Sequence, residues 1–327
     1  MRAQQHSDQG NTTRLVVSLV FFSLLLVCGP IAVLPATADS KAHPIYERVV
    51  SLSPLITENI FLLGAGNSLV GNTIYCQRPE AAQHIEKVGS VQELSLEKIV
   101  SLNPQLILAS NLTPPQTVEQ LRSLALRVET FGQPASFEDI CNHFLRLGAI
   151  LNRNEYAVAL VDQARRKVDA VRRAVSSLPR RKVFLQVGAH PLFSSVQSSF
   201  THDFIELGGG INIAGEQKTG AMKTEQVLAL NPDLIIIAVM GSENGIGAEE
   251  KARWMRFSTL EAVRANQVHV MDPNLVCSPS PTTFADTLVT IARLIHPQAA
   301  IAAPDAAGGP HTSSNHLPVA EVGGRQQ

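Results

Sequence analysis

Residues 151–178 read LNRNEYAVALVDQARRKVDAVRRAVSSL and contain neither glycine nor proline. The apolar residues of this stretch recur at alternating steps of four and three, so they share one side of an α-helix. They are Ala157, Val161, Ala164, Val168, Val171, Val175 and Leu178. The positions between them carry many charged side chains, which face water. At about 1.5 Å per residue this helix would span roughly 40 Å. The pattern therefore predicts one long helix that acts as a connecting strut.

Two similar phrases flank this helix. Residues 94–109 read LSLEKIVSLNPQLILA, and residues 222–238 read MKTEQVLALNPDLIIIA. Each phrase contains a glutamate, a short apolar helix pattern, Leu-Asn-Pro and a strongly apolar strand pattern, in the same order and at the same spacing. An internal repeat on both sides of a long helix predicts two similar lobes.

Strand and helix patterns alternate on both sides of the connecting helix, which is typical of parallel sheets covered by helices. The strand patterns lie at residues 48–52, 70–72, 106–109, 127–130, 183–187, 234–239 and 268–271. We therefore expect an α/β fold of two pseudo-equivalent lobes, each a parallel-type sheet flanked by helices. The N-terminal lobe would cover residues 39–150, the long rigid helix 151–178, and the C-terminal lobe 179–297.

Both ends of the chain differ from the globular part. Near the N-terminus, Arg2 and Arg14 precede an apolar run at residues 15–27, and Ala36-Thr37-Ala38 follows this run. This order predicts a cleaved signal peptide at residues 1–38 and export of the mature chain. Two alternatives remain, because the apolar segment could stay as a membrane anchor and Cys28 could carry a lipid. Residues 298–327 lack an apolar period, which predicts a disordered tail.

Composition and motif content exclude several classes of function. The formal net charge of −1 provides no field for attracting nucleic acid, so we expect no nucleic-acid partner. The sequence has neither a Walker sequence nor a Gly-x-Gly-x-x-Gly loop, and it lacks His-x-x-x-His and Cys-x-x-Cys pairs. In the sequence, no base and orienting partner accompany Cys76 or His190. We therefore expect a protein that is not an enzyme and holds no intrinsic cofactor.

Several loops follow predicted strands, and ligands of open α/β sheets bind beyond the carboxyl ends of strands. The candidate ligand-binding residues in these loops are Ser53, Pro54, Tyr75, Cys76, His190, Phe193, Asn274 and Leu275. Tyr75 fits either a ligand contact or a packed ring, and His190 fits either a metal ligand or a hydrogen-bonded surface residue. Cys76 and Cys277 fit a disulfide, a thiolate pair for a soft metal or haem, or two unrelated thiols.

Two glutamates occupy the same place in the two repeated phrases. Glu97 and Glu225 each stand at the start of a predicted helix, where the helix dipole favours a carboxylate. Because the two lobes are expected to be pseudo-equivalent, the pair could also present matched charges to a symmetric partner. The residues alone leave both interpretations open.

The order of six motifs resembles one family of transport proteins. The motifs are RVVSLSPLITE at residues 48–58, YCQRP at 75–79, LEKI at 96–99, VFLQVGAHP at 183–191, ELGGGIN at 206–212 and TEQVL at 224–228. From residue 48 to residue 297 the chain is similar to the cobalamin and iron-siderophore periplasmic binding proteins of ABC importers. The resemblance implies two α/β lobes joined by one rigid helix, a ligand held between the lobes, and no catalysis.

The resemblance also implies roles for individual residues. Tyr75 falls where vitamin B12-binding members of the family place a tyrosine against the corrin. Glu97 and Glu225 fall on the glutamates that contact arginines of the dimeric permease. The chain departs from the family pattern at corrin-facing tryptophans, polar cleft residues and one disulfide cysteine. Val91, Ser110 and Leu275 stand at the tryptophan positions, and Asn274 and Ser278 stand at the polar cleft positions. Gly208 stands at the position of the disulfide cysteine.

The resulting expectation is an extracytoplasmic solute-binding protein that captures cobalamin or another corrinoid and delivers it to a permease dimer in the inner membrane. Haem and a ferric siderophore are alternative ligands, and a sensor domain outside the cytoplasm is the alternative of a different class. Leu275, Phe193 and Tyr75 would provide apolar walls for a ring ligand. We expect a monomer, and we expect its lobes to move little on ligand binding because a single helix resists hinge bending.

Overall fold

The computed structural model describes residues 45–240 and 245–301. The predicted signal peptide, the alternative membrane anchor and Cys28 lie outside these residues, as does the tail beyond Ile301. Across the described residues, no helix combines the length and the apolar character needed to cross a membrane. The described residues include both predicted sheets and the connecting helix.

The N-terminal lobe is a parallel four-stranded sheet with helices packed around it. Its strands are β1 (Val49–Ser51), β2 (Leu69–Asn72), β3 (Leu106–Ser110) and β4 (Val128–Phe131), and their order across the sheet is β2-β1-β3-β4. Its helices are α1 (Pro54–Leu62), α2 (Leu96–Ser101), α3 (Pro115–Ser123) and α4 (Phe137–Ile150), with 3-10 turns at Gly66–Ser68 and Glu80–His84. The residues of β1 and most of β3 are buried, as expected for a parallel sheet covered on both faces.

The connecting helix is shorter than the sequence predicts. It forms α5 (Asn154–Val175), which has 22 residues and therefore spans about 33 Å. Asn152, with a φ of +56°, separates it from α4, because asparagine tolerates this left-handed backbone conformation. The predicted apolar stripe from Ala157 to Val175 is buried, whereas Leu178 lies beyond the end of the helix.

The C-terminal lobe is a five-stranded sheet centred on one long strand. Its strands are β5 (Arg181–Gly188), β6 (Phe193–Ser194), β7 (Gly210–Asn212), β8 (Leu234–Ile237) and β9 (Val268–Val270). Strand β5 pairs in parallel with β7 and β8 and antiparallel with β6, and β8 pairs in parallel with β9. Its helices are α6 (Phe200–Leu207), α7 (Thr224–Leu230), α8 (Ile246–Trp254), α9 (Glu261–Arg264), α10 (Pro273–Cys277) and α11 (Pro281–Ile295). The predicted α/β class is confirmed.

The sequence does not predict four elements of the C-terminal lobe. Strands β6 and β7 have two and three residues, which is too few for an alternating pattern. Helix α8 follows a glycine-rich segment that predicts a loop, and α10 is a short helix within another predicted loop. Gly209, with a φ of +81°, forms the tight turn between α6 and β7.

The C-terminal lobe also extends further than the sequence predicts. Ile301 is buried and packs into the main apolar cluster of the protein. Its carbonyl oxygen accepts hydrogen bonds from Arg293 Nε at 3.2 Å and Arg293 Nη2 at 2.6 Å. Residues 298–301 therefore belong to the lobe, and their assignment to the disordered tail is wrong, because a buried isoleucine fixes the end of this segment.

The two lobes touch each other directly as well as through α5. The ring of Phe137 in α4 stacks on Phe284 in α11 with 4.7 Å between centroids, and Phe284 stacks on Phe204 in α6 at 4.1 Å. The backbone N–H of Phe137 donates a hydrogen bond to Asp203 Oδ2 at 2.7 Å. A single apolar cluster contains residues of both lobes. The picture of a lone strut is therefore incomplete, since a shared core also joins the lobes.

Ion pairs attach α5 to a helix of each lobe. Arg165 Nη2 lies 2.6 Å from Glu138 Oε2 in α4, and Lys167 Nζ lies 2.6 Å from Asp286 Oδ1 in α11. Partly exposed pairs of this kind contribute about 0–1 kcal/mol each. The buried apolar stripe of α5 therefore stabilises the connection between the two lobes, which we call the joint, more than the charged side chains of α5 do.

We expect the lobes to keep their relative position when a ligand binds, because opening the joint would expose the stacked rings and the shared core. Small-angle scattering profiles of ligand-free and ligand-saturated protein should nearly superimpose. A large closure of the lobes on saturation would contradict a fixed joint.

Candidate functional site

Exposed apolar side chains follow the carboxyl ends of four parallel strands. Ile74 and Tyr75 follow β2, Leu112 follows β3, Phe193 follows β5, and Met240 follows β8. These five residues, which we call the apolar rim, are between 41% and 64% exposed, although large apolar side chains are usually inside a protein. Because ligands of α/β sheets bind beyond the carboxyl ends of the strands, the apolar rim is the candidate binding surface.

The sequence identifies only two members of the apolar rim, Tyr75 and Phe193. It misses Ile74, Leu112 and Met240. Each of these three follows the last residue of its strand by two or three positions. The sequence feature that could have identified these three residues is an apolar side chain just beyond the end of a predicted buried strand.

Cys76 is a core thiol, which corrects its assignment to the ligand site. Its side chain has no exposed surface. Its sulfur lies 3.2 Å from Thr57 Oγ1 and 3.2 Å from Thr73 Oγ1. The neighbouring residue Tyr75 is 57% exposed, so the loop presents the tyrosine and buries the cysteine. Cys76 therefore holds the loop and cannot touch a ligand while it stays buried.

The cysteines of the described residues, Cys76, Cys141 and Cys277, are all free thiols. The sulfur of Cys277 contacts Ala238 O at 3.5 Å. Burial and, to a smaller extent, the Asp272 carboxylate raise the pKa of Cys277 to about 11, so its thiol stays protonated at neutral pH. No group of three His, Cys, Asp or Glu side chains in residues 45–240 and 245–301 could hold a metal ion. Cys76 and Cys277 are therefore not joined by a disulfide.

Ser53 immediately precedes α1, and Pro54 is the first residue of this helix. The side chain of Ser53 is buried and makes no capping hydrogen bond. Its carbonyl oxygen accepts hydrogen bonds from Thr57 N at 2.9 Å and from Ser51 Oγ at 3.1 Å. The expected contact of Ser53 with a ligand is therefore blocked by burial, and the half-buried Pro54 remains available at this end of β1.

His190 is exposed and lines a groove of about 650 Å³ in the C-terminal lobe. The groove is also lined by Pro191, Glu225, Arg253 and Arg256. Its walls carry both signs of charge, which suits a polar partner better than an apolar ring. A residue predicted to bind ligand and a residue predicted to contact the permease therefore share one depression of the surface.

Asn274 and Leu275 lie in α10, and both are half-buried. The carboxylate of Asp272 caps this helix, because Asp272 Oδ1 accepts hydrogen bonds from Asn274 N at 2.8 Å and from Asn274 Nδ2 at 3.0 Å. The side-chain amide of Asn274 is thus oriented by Asp272, and its oxygen remains free to accept a hydrogen bond from a ligand.

Glu97 and Glu225 occupy the first turns of α2 and α7, and both are exposed. Each helix leads into a central strand of its lobe, β3 or β8, so the two glutamates have equivalent places in the two sheets. Neither carboxylate forms an ion pair with another residue of the described part of the chain. Both charges are therefore accessible to a partner.

The two-lobed α/β fold, with an accessible surface beyond the strand ends, is that of a ligand-binding protein. The sequence model of the periplasmic binding protein family matches residues 49–275. This chain therefore belongs to the periplasmic binding protein family.

Individual relatives agree with this assignment. The chain is 31% identical over 195 residues to the vitamin B12-binding protein of Yersinia pestis (strain Pestoides F). The aligned residues cover 59% of this chain and 69% of the relative. The periplasmic vitamin B12 binding protein of Vibrio cholerae has a similar structure, with a TM-score of 0.66 and 25% identity over 77% of this chain and 98% of that chain. A periplasmic heme binding protein from Pseudomonas aeruginosa shares the fold, with a TM-score of 0.69 and 24% identity over 80% and 96% of the two chains.

Family membership confirms several predictions made from the sequence. The family resemblance and the two-lobed α/β architecture are correct, and the relatives are binding proteins and not enzymes. Membership also places the function of this protein outside the cytoplasm.

Proposed function

We propose that this protein is the solute-binding component of an ABC importer and that it captures cobalamin or another corrinoid between its lobes. The apolar rim is the observation that carries this proposal. A corrin ring presents two broad apolar faces, and ligand sites for such molecules are lined mainly by apolar and aromatic side chains. Ile74, Tyr75 and Leu112 would contact one face from the N-terminal lobe, and Phe193 and Met240 would contact the other.

The scarcity of cationic side chains in the segments that follow the strands favours a corrinoid over haem. The segments that follow β1, β2, β3, β4, β5 and β9 comprise residues 52–53, 73–79, 111–114, 132–136, 189–192 and 271–279, and the last of them contains α10. Arg78 is the only Lys or Arg in these segments, and it already pairs with Glu58 at 3.0 Å. Haem carries two carboxylates, which need cationic partners where they are buried. Cobalamin carries mostly uncharged amides, which match uncharged side chains such as Asn111, Gln133 and Asn274.

The ligand proposal is tested by titrating the purified protein with cyanocobalamin in a calorimeter. We expect saturable binding, and we expect Tyr75→Ala to weaken it roughly tenfold, the size expected when one aromatic contact is removed. Tyr156→Ala is the matched control, because Tyr156 in α5 is 55% exposed and Tyr75 is 57% exposed. This control should bind cyanocobalamin like the wild type.

Parallel titrations with hemin and with a ferric siderophore separate the alternative ligands. Tighter binding of either one than of cyanocobalamin would contradict the corrinoid assignment and retain a binding role. A protein that binds none of the three would contradict the proposed function itself.

We further propose that the protein delivers its ligand as a monomer to a dimeric permease, with Glu97 and Glu225 as the docking pair. Their exposure, their equivalent places in the two lobes and their lack of ion pairs with other described residues support this role. A pair of like charges on pseudo-equivalent lobes fits a two-fold symmetric partner that carries basic side chains.

Export by a cleaved signal peptide at residues 1–38 is part of the same proposal, with an uncleaved anchor or a lipid on Cys28 as alternatives. Membership in the periplasmic binding protein family supports export, but it fits a cleaved signal peptide, an uncleaved anchor and a lipid on Cys28 equally well. The mass of the mature protein isolated from its host would identify which of them is used.

A further inference from the structure

The loop that presents Tyr75 runs through residues 73–79, from the end of β2 to the 3-10 turn at Glu80–His84. Backbone hydrogen bonds hold its first half, since Ile74 N donates to Gly89 O at 3.0 Å and Cys76 N donates to Thr73 O at 3.0 Å. Side-chain contacts also tie the loop to α1, and the backbone hydrogen bond from Ala82 N to Pro79 O at 2.8 Å ties its end to the 3-10 turn. The conformation of the loop therefore depends in part on a small number of side-chain contacts.

One of these contacts is buried in the lobe. The hydroxyl of Thr57 in α1 lies 2.8 Å from Ser51 Oγ in β1 and 3.2 Å from Cys76 Sγ in the loop. All three side chains are buried. This cluster fixes the middle of the loop against α1 and β1.

The next residue of α1 makes the second contact. Glu58 Oε2 lies 3.0 Å from Arg78 Nη2, and the side chains of Glu58 and Arg78 are 14% and 40% exposed. Burial raises the pKa of Glu58, and the positive charge of Arg78 opposes this shift. A carboxylate with so little access to water needs a nearby countercharge, which Arg78 supplies. The last part of the loop is thus held to α1 by an ion pair.

Tyr75 itself has few contacts that could fix its position, because more than half of its side chain is exposed. Its place relative to a ligand is therefore set by the backbone of the loop. A loop that is ordered before binding also avoids the entropy cost of ordering it in the complex.

We propose that Arg78 is a positioning residue of the ligand site: its ion pair with Glu58 fixes the loop of residues 73–79 on α1 and thereby holds Tyr75 in place for the ligand. This inference rests on the proposed function, because it requires Tyr75 to contact the ligand. Arg78 acts through the loop and not through a contact of its own with the ligand.

Two measurements test this role. Hydrogen exchange of the ligand-free protein should show faster exchange in residues 73–79 for Arg78→Ala than for the wild type. Titration with cyanocobalamin should show roughly fivefold weaker binding for Arg78→Ala, the size expected from ordering one loop and its side chain on binding. Arg78→Lys should restore most of both properties, because it keeps the positive charge. Arg165→Ala, which removes a half-exposed ion pair on α5, is the matched control and should change neither property.

A double variant separates positioning from direct contact. If Arg78 acts through Tyr75, then Tyr75→Ala/Arg78→Ala should bind cyanocobalamin no more weakly than Tyr75→Ala alone. A further fivefold loss in the double variant would overturn the positioning role, as would unchanged affinity or unchanged exchange in Arg78→Ala. A wild-type protein that binds none of cyanocobalamin, hemin and a ferric siderophore would overturn the proposed function, and the inference with it, whereas the other failures would overturn the inference alone.

Discussion

Replacing Phe284 by alanine is expected to lower the free energy of unfolding by about 3–5 kcal/mol, the usual cost of removing a fully buried phenylalanine. The ring has no exposed surface and stacks on Phe137 of the N-terminal lobe and Phe204 of the C-terminal lobe. Truncation would leave a cavity at the joint, bounded by two rings that belong to different lobes. Neither ring can fill this cavity without shifting its own helix, so relaxation should recover little of the loss.

Urea unfolding followed by circular dichroism would measure this change. Phe193→Ala provides a control in which an exposed phenylalanine is removed from the same lobe, and its cost should stay within about 1 kcal/mol. Phe284→Leu, which refills much of the cavity, should fall between the alanine variant and the wild type. If Phe284→Ala cost no more than Phe193→Ala, the stacked rings would not stabilise the joint.

Reversing both exposed glutamates, in the double variant Glu97→Lys/Glu225→Lys, is expected to abolish uptake of the ligand into cells while the affinity for cyanocobalamin stays unchanged. Each substitution would place a positive charge opposite the basic side chains that we propose for the permease, and like charges across an interface oppose docking strongly. The affinity should survive because neither glutamate belongs to the apolar rim.

Uptake of labelled cyanocobalamin in a strain that lacks the wild-type gene would measure transport, and calorimetry would measure affinity. Glu119→Lys/Glu261→Lys is the matched control, because it makes the same change in net charge with one exposed side chain in each lobe. Normal uptake by the Glu97/Glu225 variant would refute the docking pair. Equal loss of uptake in the control would attribute the effect to net charge alone.

The sequence predicts the parts of this fold that depend on regular apolar spacing. Seven core strands have short apolar patterns, and the stripe of α5 is buried from Ala157 to Val175 as its spacing requires. The start of α5 is less predictable, because the left-handed turn at Asn152 leaves no mark on the apolar period. Strands β6 and β7 are set by pairing with β5, a long-range contact that no local pattern records.

The candidate site is only partly predictable for a related reason. Loop residues have no period, so the sequence cannot tell which of two neighbours in a loop faces water. Tyr75 and Cys76 illustrate this, since one is largely exposed and the other is fully buried. The same ambiguity explains why Ser53 was expected to be accessible, and why Leu112 and Met240 were missed. The repeat, by contrast, gave the equivalent places of Glu97 and Glu225 directly.

The shared core of the two lobes has a consequence for the order in which the chain can fold. The apolar stripe of α5 is packed in the same cluster as α11, and α11 (Pro281–Ile295) is the last helix of the described chain. The first half of the protein therefore cannot bury its connecting helix until nearly the whole chain is available. A domain normally folds as soon as its own segment emerges. Here the final helix completes both lobes at once, so the chain should stay unfolded during synthesis for longer than two independent lobes would, a state that is compatible with passage through a membrane before folding.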